Sequence, residues 1–219
     1  MTNDKTGMAQ LYRKRARRYD FTANLFYLIG FREWDYRKQA VAALHLRPGD
    51  TVVEIGCGTG LNFSLLEDAV GSQGRIIGVD LTDAMLDRAR QRVQYKGWTN
   101  VELVECDAAG FGFPETTDAV LATFAIKAMP YYDAIIRRIA QALSPGKRFV
   151  FLELVNPSWC PGWLRGLIVR LLSPFGANEK NAAYRPEASL KRYFSSALMQ
   201  TRYFGVALIA VGIVGETES

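Results

Sequence analysis

The chain has 219 residues, 49% of them hydrophobic, which is enough to bury a substantial core and about the size of one domain. Its first 47 residues hold ten Lys/Arg against four Asp/Glu, a net +6, whereas the whole chain is only +5, so everything after them nets −1 and the basicity belongs to the N-terminal region. Apolar runs such as VALIAVGIV fall well short of the roughly 20 residues that span a bilayer, which excludes a membrane crossing. Cys57, Cys106 and Cys160 are odd in number and lack CxxC spacing, which argues against a disulfide framework or a zinc site and predicts three reduced, buried thiols.

The chain opens with the polar MTNDKTGMAQ, where no apolar segment precedes a small-residue cleavage site, so a cytoplasmic protein is expected. Residues 8–20 read as a helix. Met8, Ala9, Tyr12, Ala16 and Tyr19 share one side, and Arg13, Lys14, Arg15, Arg17 and Arg18 fan over the other, with Leu11 falling among the charges. NLFYLI and EWDYRKQAVAALH read as two more helices interrupted by Gly30, and RPGD ends the helical region. Residues 1–47 therefore form a helical cap or lid, and residues 48–219 the core.

From Pro48 onward, strand-like runs alternate with helical patterns: TVVEIG, a helix from Asn62, RIIGVD, a helix from Asp83, VELVEC, DAVLATF, a helix from Tyr131, and RFVFLEL. That alternation predicts βαβ units in a parallel sheet with helices on both faces. Near the end, QTRYF and VALIAVGI are joined through Gly205, which suggests a closing antiparallel pair. The expected fold is a Rossmann-like, doubly wound α/β sheet with an added N-terminal helical layer.

Three features then converge on a ligand. VVEIGCGTG enters as a strand and leaves as a helix; Gly56, Gly58 and Gly60 let the backbone turn sharply, and the helix N-terminus offers free N–H groups. A nicotinamide fingerprint would want its third small residue at position 61, which is Leu61. Asp80, at the end of RIIGV, can accept both hydroxyls of a ribose, and Asp107, in LVECDA, can accept from an adenine amino group. Asp83 fits the N-cap of the following helix better than Asp80 does. All three features fall at strand carboxyl ends, where open α/β sheets bind ligands, and together they describe a pocket for an adenosine.

VVEIGCGTG, GVDLTDAML and VECDAAGFGFP resemble the S-adenosylmethionine sites of class I methyltransferases, over roughly Pro48 to Leu154. The resemblance implies seven strands in the order 3-2-1-4-5-7-6, with strand 7 antiparallel. It implies that Glu54 and the glycine loop border the cofactor's amino-acid end, that Asp80 binds the ribose, and that Leu81 packs on the adenine. Asp107 and Ala108 would meet the adenine edge, and Tyr19, Cys57, Met85 and Phe124 complete the expected cofactor-binding set.

The acceptor is read by elimination and by a second resemblance. A DNA amino-methylating enzyme would carry a (D/N)PP(Y/F) motif where this chain reads TFAIKAMP, and a cytosine C5 enzyme would carry Pro-Cys, of which only the reverse occurs, at Cys160. A nucleic-acid acceptor is not expected. The one histidine, His45, precedes the first strand and so lies at the end of the sheet opposite the pocket; any proton acceptor would be a Tyr, a carboxylate or water, and Tyr12, Tyr19 and Tyr27 are the groups to watch, with Tyr19 and Tyr27 expected to position an acceptor. In the segment 158–177, Trp163, Leu164, Leu167, Ile168, Leu171 and Leu172 occupy one half of a helix with Arg165 and Arg170 at its edges. That pattern suits a membrane interface or a lid over a greasy substrate, and equally a helix packed on the sheet or against a partner subunit.

RYDFTANLFYLIGFREW and QYKGWTNVELVECDA look closest to small bacterial lipid N-methyltransferases acting on phosphatidylethanolamine or betaine-lipid head groups, with quinone C-methyltransferases as wider relatives. The resemblance implies methyl transfer from S-adenosyl-L-methionine to an amine of a membrane lipid or another amphipathic acceptor. The setting would be the cytoplasmic face of an anionic membrane. The alternatives are a quinone, a soluble small molecule, or a scaffold without catalysis.

Overall fold

The computed structural model describes residues 30–155, 161 and 184–215. Seven strands form one sheet: β1 (Thr51–Ile55), β2 (Arg75–Asp80), β3 (Val101–Glu105), β4 (Thr117–Thr123), β5 (Arg148–Leu154), β6 (Ser196–Arg202) and β7 (Ala207–Ile213). Their order is β3-β2-β1-β4-β5-β7-β6, with β7 antiparallel to both of its neighbours and the other pairs parallel, as the sequence led us to expect. The helices among the described residues are α1 (Glu33–Ala42), α2 (Phe63–Val70), α3 (Asp83–Lys96), α4 (Tyr132–Ala142) and α5 (Pro186–Tyr193), together with a 3-10 turn at Ile126–Ala128.

Each central strand is buried on both faces, so its side chains alternate between two cores. On one face Val52, Ile76, Leu121, Val150 and Ile209 pack with Phe31, Tyr36 and Ala40 around α1, Phe63 and Leu66 of α2, and Leu86 of α3. On the other, Val53, Ile55, Val120, Phe149 and Phe151 pack with Ile135, Ile136 and Ile139 of α4 and Leu190 of α5. The alternation has a direct consequence for function. Glu54 follows Val53, and Thr123 follows Ala122, so both polar side chains turn toward the α1 face at the carboxyl end of the sheet.

Helix ends follow from local chemistry. α3 stops where Gly97 takes a left-handed conformation (φ 70°) and the Trp98 N–H donates to Val93 O at 3.2 Å, closing a Schellman-type end. Its N-cap is Thr82 rather than Asp83, which is the first helical residue, because Thr82 is the last residue with extended backbone. α5 was not anticipated, although Pro186 at its first position is a usual helix start. Of the thiols, Cys57 is buried but Cys106 is only half-buried, because β3 is the edge strand; Cys160 lies outside the described residues.

The β6–β7 connection is a tight turn in which Tyr203 (φ 49°), Phe204 (φ 54°) and Gly205 (φ 84°) all lie in the left-handed region. Only the glycine was legible as a turn signal. Among the described residues, no helix is long and apolar enough to cross a membrane.

Gly78 fixes how closely α2 sits on the sheet. A Cβ there would stand 2.6 Å from Phe63 Cζ, 3.0 Å from Cys57 Sγ and 3.1 Å from Leu103 Cδ2. Gly78→Ala is therefore expected to destabilise the fold by about 1–3 kcal/mol through overpacking, read as a lowered urea midpoint at unchanged m-value.

Candidate functional site

The carboxyl ends of β1, β2, β3 and β4 bring together most of the residues singled out from the sequence. The turn after β1 is pinned by two donors to one carbonyl: Gly56 N–H to Val79 O at 2.7 Å and Cys57 N–H to the same oxygen at 3.1 Å. Gly56 has φ 66°, and a Cβ on it would lie 2.5 Å from Ala125 Cβ, so the turn and the segment after β4 approach as closely as only glycine permits. The Gly58 N–H donates to Asp80 Oδ2 at 2.9 Å, and the Thr82 N–H to Asp80 Oδ1 at 2.9 Å. Asp80 thus holds the glycine turn and the start of α3 through both of its oxygens, at the strand end where a diol could also be accepted.

Leu81, beside it, is 42% exposed for a large apolar side chain. Cys106 N–H donates to Asp80 O at 3.0 Å, tying the end of β3 to the end of β2. Asp107 Oδ1 accepts the Ala109 N–H at 3.0 Å, so this carboxylate also shapes its own turn, and Ala108 is buried beside it. Met85 is buried in the first turn of α3. Cys57 points into the core, where burial holds its thiol pKa well above the usual value, so only its backbone borders the turn. Tyr19, Tyr27 and the 158–177 segment lie outside the described residues. His45 is exposed, in the connection that precedes the amino end of β1.

The strongest feature of the site is a buried polar network that the motifs did not reveal. Glu54 is 1% exposed. Its Oε1 accepts from Asn62 Nδ2 at 2.5 Å, while Oε2 is buried without a hydrogen-bond partner among the described contacts. Asn62 Nδ2 also donates to Thr123 Oγ1 at 2.8 Å. Arg37, 4% exposed on α1, donates from Nη1 to Asn62 Oδ1 at 3.0 Å and to Thr123 Oγ1 at 2.8 Å, and from Nε to Glu33 Oε1 at 2.8 Å. Its guanidinium also lies 5.1 Å from the ring centroid of Phe124. Phe124 is a non-glycine residue at φ 53°, its N–H held by Leu152 O at 2.7 Å, a strained backbone of the kind that clusters at ligand sites.

In sequence, Glu33 and Arg37 look like an exposed i,i+4 pair on a charged helix. Only the fold shows that this face of α1 lies against the sheet. Burial is the largest influence on Glu54 and pushes its pKa up to about 7, against the Asn62 hydrogen bond and the Arg37 charge, which both lower it. A second carboxylate behaves alike: burial pushes Glu153, at the end of β5, up to about 7, and its Oε1 accepts the Lys127 N–H at 3.1 Å. Glu153 thereby fixes the segment after β4, and burial in turn lowers the pKa of Lys127, whose Nζ donates to Leu154 O at 3.1 Å.

The arrangement can hold an extended ligand. A diol would meet Asp80, a flat apolar group would rest on Leu81, and a cationic group would meet the unpartnered oxygen of Glu54. An S-adenosylmethionine has these three parts, with the ribose diol between the adenine and the cationic amino-acid end, so the residues present fit it.

Comparison with known proteins adds the family. The ubiE/COQ5 methyltransferase family profile matches residues 1–162. A demethylmenaquinone methyltransferase of Symbiobacterium thermophilum is 33% identical over 153 residues, covering 68% of this chain and 59% of the relative. The chain spans between 59% and 66% of the length of the curated relatives it matches. In fold it resembles an S-adenosylmethionine-dependent methyltransferase from Aquifex aeolicus (TM-score 0.62, 15% identity, 81% of this chain and 89% of the other). It also resembles a Haemonchus contortus phosphoethanolamine N-methyltransferase in complex with S-adenosyl-L-methionine (TM-score 0.64, 15% identity, 84% and 53%).

Two outcomes follow from the network. Arg37→Leu leaves Glu33 buried without its cation and Asn62 and Thr123 short of a donor, and is expected to cost about 3–5 kcal/mol in chemical denaturation; Arg37→Lys recovers little, because an ammonium cannot span the same acceptors. For Glu54, the folded pKa lies above the unfolded value, so between about pH 4.5 and 7 the folded chain binds more protons and the group lowers stability as pH rises. Glu54→Gln removes that dependence. The variant should gain on wild type across this window, reaching on the order of 2 kcal/mol near pH 8 in urea midpoints measured as a pH series.

Proposed function

Since the chain belongs to the ubiE/COQ5 methyltransferase family, we propose that it transfers a methyl group from S-adenosylmethionine to an amphipathic small-molecule acceptor, a quinone-type ring first among them. The observation that carries the cofactor half is the unpartnered oxygen of Glu54, 1% exposed at the end of β1, above a glycine turn that Asp80 holds in place. When bound, S-adenosylmethionine supplies a methyl group activated by its positive sulfonium.

The chain's own residues then bind and align. Glu54 receives the cationic amino-acid end, Asp80 the ribose hydroxyls, Leu81 one face of the adenine, and Asp107 with Ala108 its edge. Gly56, Gly58, Gly60 and Cys57 contribute backbone, and Met85 and Phe124 border the same edge of the sheet. Arg37, through Asn62 and Thr123, keeps Glu54 aimed; it is a positioning residue and not one that touches the ligand. Tyr19 and Tyr27 are our candidates to orient the acceptor, with residues 1–47 as a cap and 158–177 as an acceptor wall at the cytoplasmic face of the membrane. Alignment and exclusion of water are the main demands on such a site, because the methyl donor is already activated.

A ring acceptor ranks ahead of the lipid amine favoured from sequence segments alone, because the curated relatives are named for a demethylated menaquinone. The phosphoethanolamine enzyme shares the fold at 15% identity, which speaks for the scaffold and not for the acceptor.

Asp80→Ala should weaken S-adenosylmethionine binding by about 10–100-fold in calorimetry, as expected for the loss of hydrogen bonds to a charged group. Labelled cofactor offered with a demethylated quinol in detergent and, separately, with phosphatidylethanolamine vesicles should label the quinol. Label in the vesicle lipid alone would replace the ring by an amine, and cofactor binding without any transfer would leave a scaffold.

A further inference from the structure

A groove of about 490 Å³ runs along the flank of the sheet on the α1–α2–α3 side, outside the candidate site. Its wall is formed by Arg88, Arg92 and Lys96 of α3, with Trp34, Tyr95 and Trp98 between and around them. The three cations recur every fourth residue, so they form one column about 12 Å long on a single helix face. Tyr95 lies on the same face and is 88% exposed. Trp34 and Trp98 are half-buried, and Trp98 rests against the apolar core beneath the groove.

Among the described residues, no carboxylate lines this groove. The nearest acid of the helix, Asp87, is turned away from it by helical geometry and pairs with Arg90 at 2.6 Å. The concentration is selective, because residues 48–219 as a whole net −1. Three cations and three large aromatics therefore sit together where the surrounding core offers no general excess of positive charge. A solvated helix face would use long charged side chains to cover apolar surface, but it would not need an aromatic standing 88% exposed among them.

We propose that this groove is a docking surface for anionic phospholipid head groups at a bilayer surface. Guanidinium and ammonium groups meet phosphate and carboxylate oxygens, while Trp and Tyr, apolar in body and polar at one atom, are suited to the interface between head groups and acyl chains. The remaining occupants fit worse. Residues 1–29, which precede the described part of the chain, carry six Lys/Arg against two Asp/Glu, a net +4, and would be repelled by the column. A second copy of the chain in a two-fold contact would set like charges against each other.

The groove also reaches the edge of the candidate site through Leu61, which follows the glycine turn. A chain seated there would keep its site close to an acceptor dissolved in the bilayer. The inference rests on the proposed amphipathic acceptor, so its test is made without turnover.

The full chain is mixed with vesicles of phosphatidylcholine alone, or of phosphatidylcholine with phosphatidylglycerol, and the bound fraction is measured by flotation over a salt series. Wild type should partition onto the anionic vesicles and be released by salt. The triple variant Arg88→Gln, Arg92→Gln, Lys96→Gln should lose roughly 100-fold in partition, at about a factor of five for each cation. Tyr95→Ser and Lys96→Glu, both at exposed positions that the fold does not need, should each lower partition several-fold, which keeps the test valid if the triple variant is unstable.

Methyl transfer to a detergent-dispersed acceptor should be unchanged in all of these variants, so a failed acceptor assignment and a failed groove assignment give different results. Equal partition of wild type and the charge variants would overturn the proposal, as would equal binding to neutral vesicles. So would release of the vesicle-bound chain by millimolar inorganic phosphate at constant ionic strength, which would make the site one for a free phosphate. Salt-sensitive binding of single-stranded RNA that is lost in the triple variant, with no vesicle binding, would assign the groove to nucleic acid instead.

Discussion

The site depends on keeping one carboxylate buried and aimed. Glu54 lies at the end of an all-buried strand, where desolvation alone favours the neutral acid. What offsets this is a cation from a different part of the chain: Arg37 crosses from α1 to Asn62 and Thr123, and Asn62 passes the contact on to Glu54. Every member but the Glu54 Oε2 has a partner. A half-satisfied network in a core is costly, and the unsatisfied atom is tolerable because a cationic ligand group can complete it.

The same network couples three elements that the chain order separates widely. α1 precedes the sheet, Asn62 opens α2, and Thr123 ends β4, yet their side chains converge because Glu54 and Thr123 share the pleat direction that faces α1. Around this fixed point the backbone is shaped by further polar ties. Asp80 holds Gly58 and Thr82, Asp107 holds Ala109, and Glu153 holds Lys127. Each of these carboxylates thus helps to build its own loop, Asp80 with both oxygens and Asp107 and Glu153 with one. Asp107 is a turn-forming residue at one of its two oxygens, which does not exclude a ligand at the site.

The parallel sheet could be anticipated because buried parallel strands write themselves as apolar runs and their connecting helices as amphipathic ones; the strand order came from the family resemblance. The glycine turn and the two aspartates were legible for a related reason: backbone turns and ribose contacts demand particular residue types at fixed offsets. Arg37, Asn62 and Thr123 were not, since each looks unremarkable in its own window, and their meeting is between residues 25 to 86 positions apart. The β6–β7 turn was legible at Gly205 but not at Tyr203 and Phe204, for the opposite reason. Its residue types argue against the left-handed backbone they adopt.

The elements that come last in the chain are bound back to the one that comes first among the described residues. The family match ends at residue 162, after β5, so it takes in β1 to β4 and the whole cofactor edge. α5, β6 and β7 come later and pack on β5. They are fastened to α4, where Asp133 accepts from Ser189 Oγ at 2.6 Å and Tyr193 Oη at 2.8 Å of α5, and these bonds hold its pKa below the usual carboxylate range. They also reach α1: Arg202 of β6 donates to Gln39 Oε1 at 2.7 Å, the Tyr203 ring meets Phe31 edge-on at 5.4 Å, and Ile209 packs in the core around α1. The helix that aims Glu54 through Arg37 is therefore braced by strands from the far end of the chain, so a change in β6 or β7 is felt at the cofactor edge.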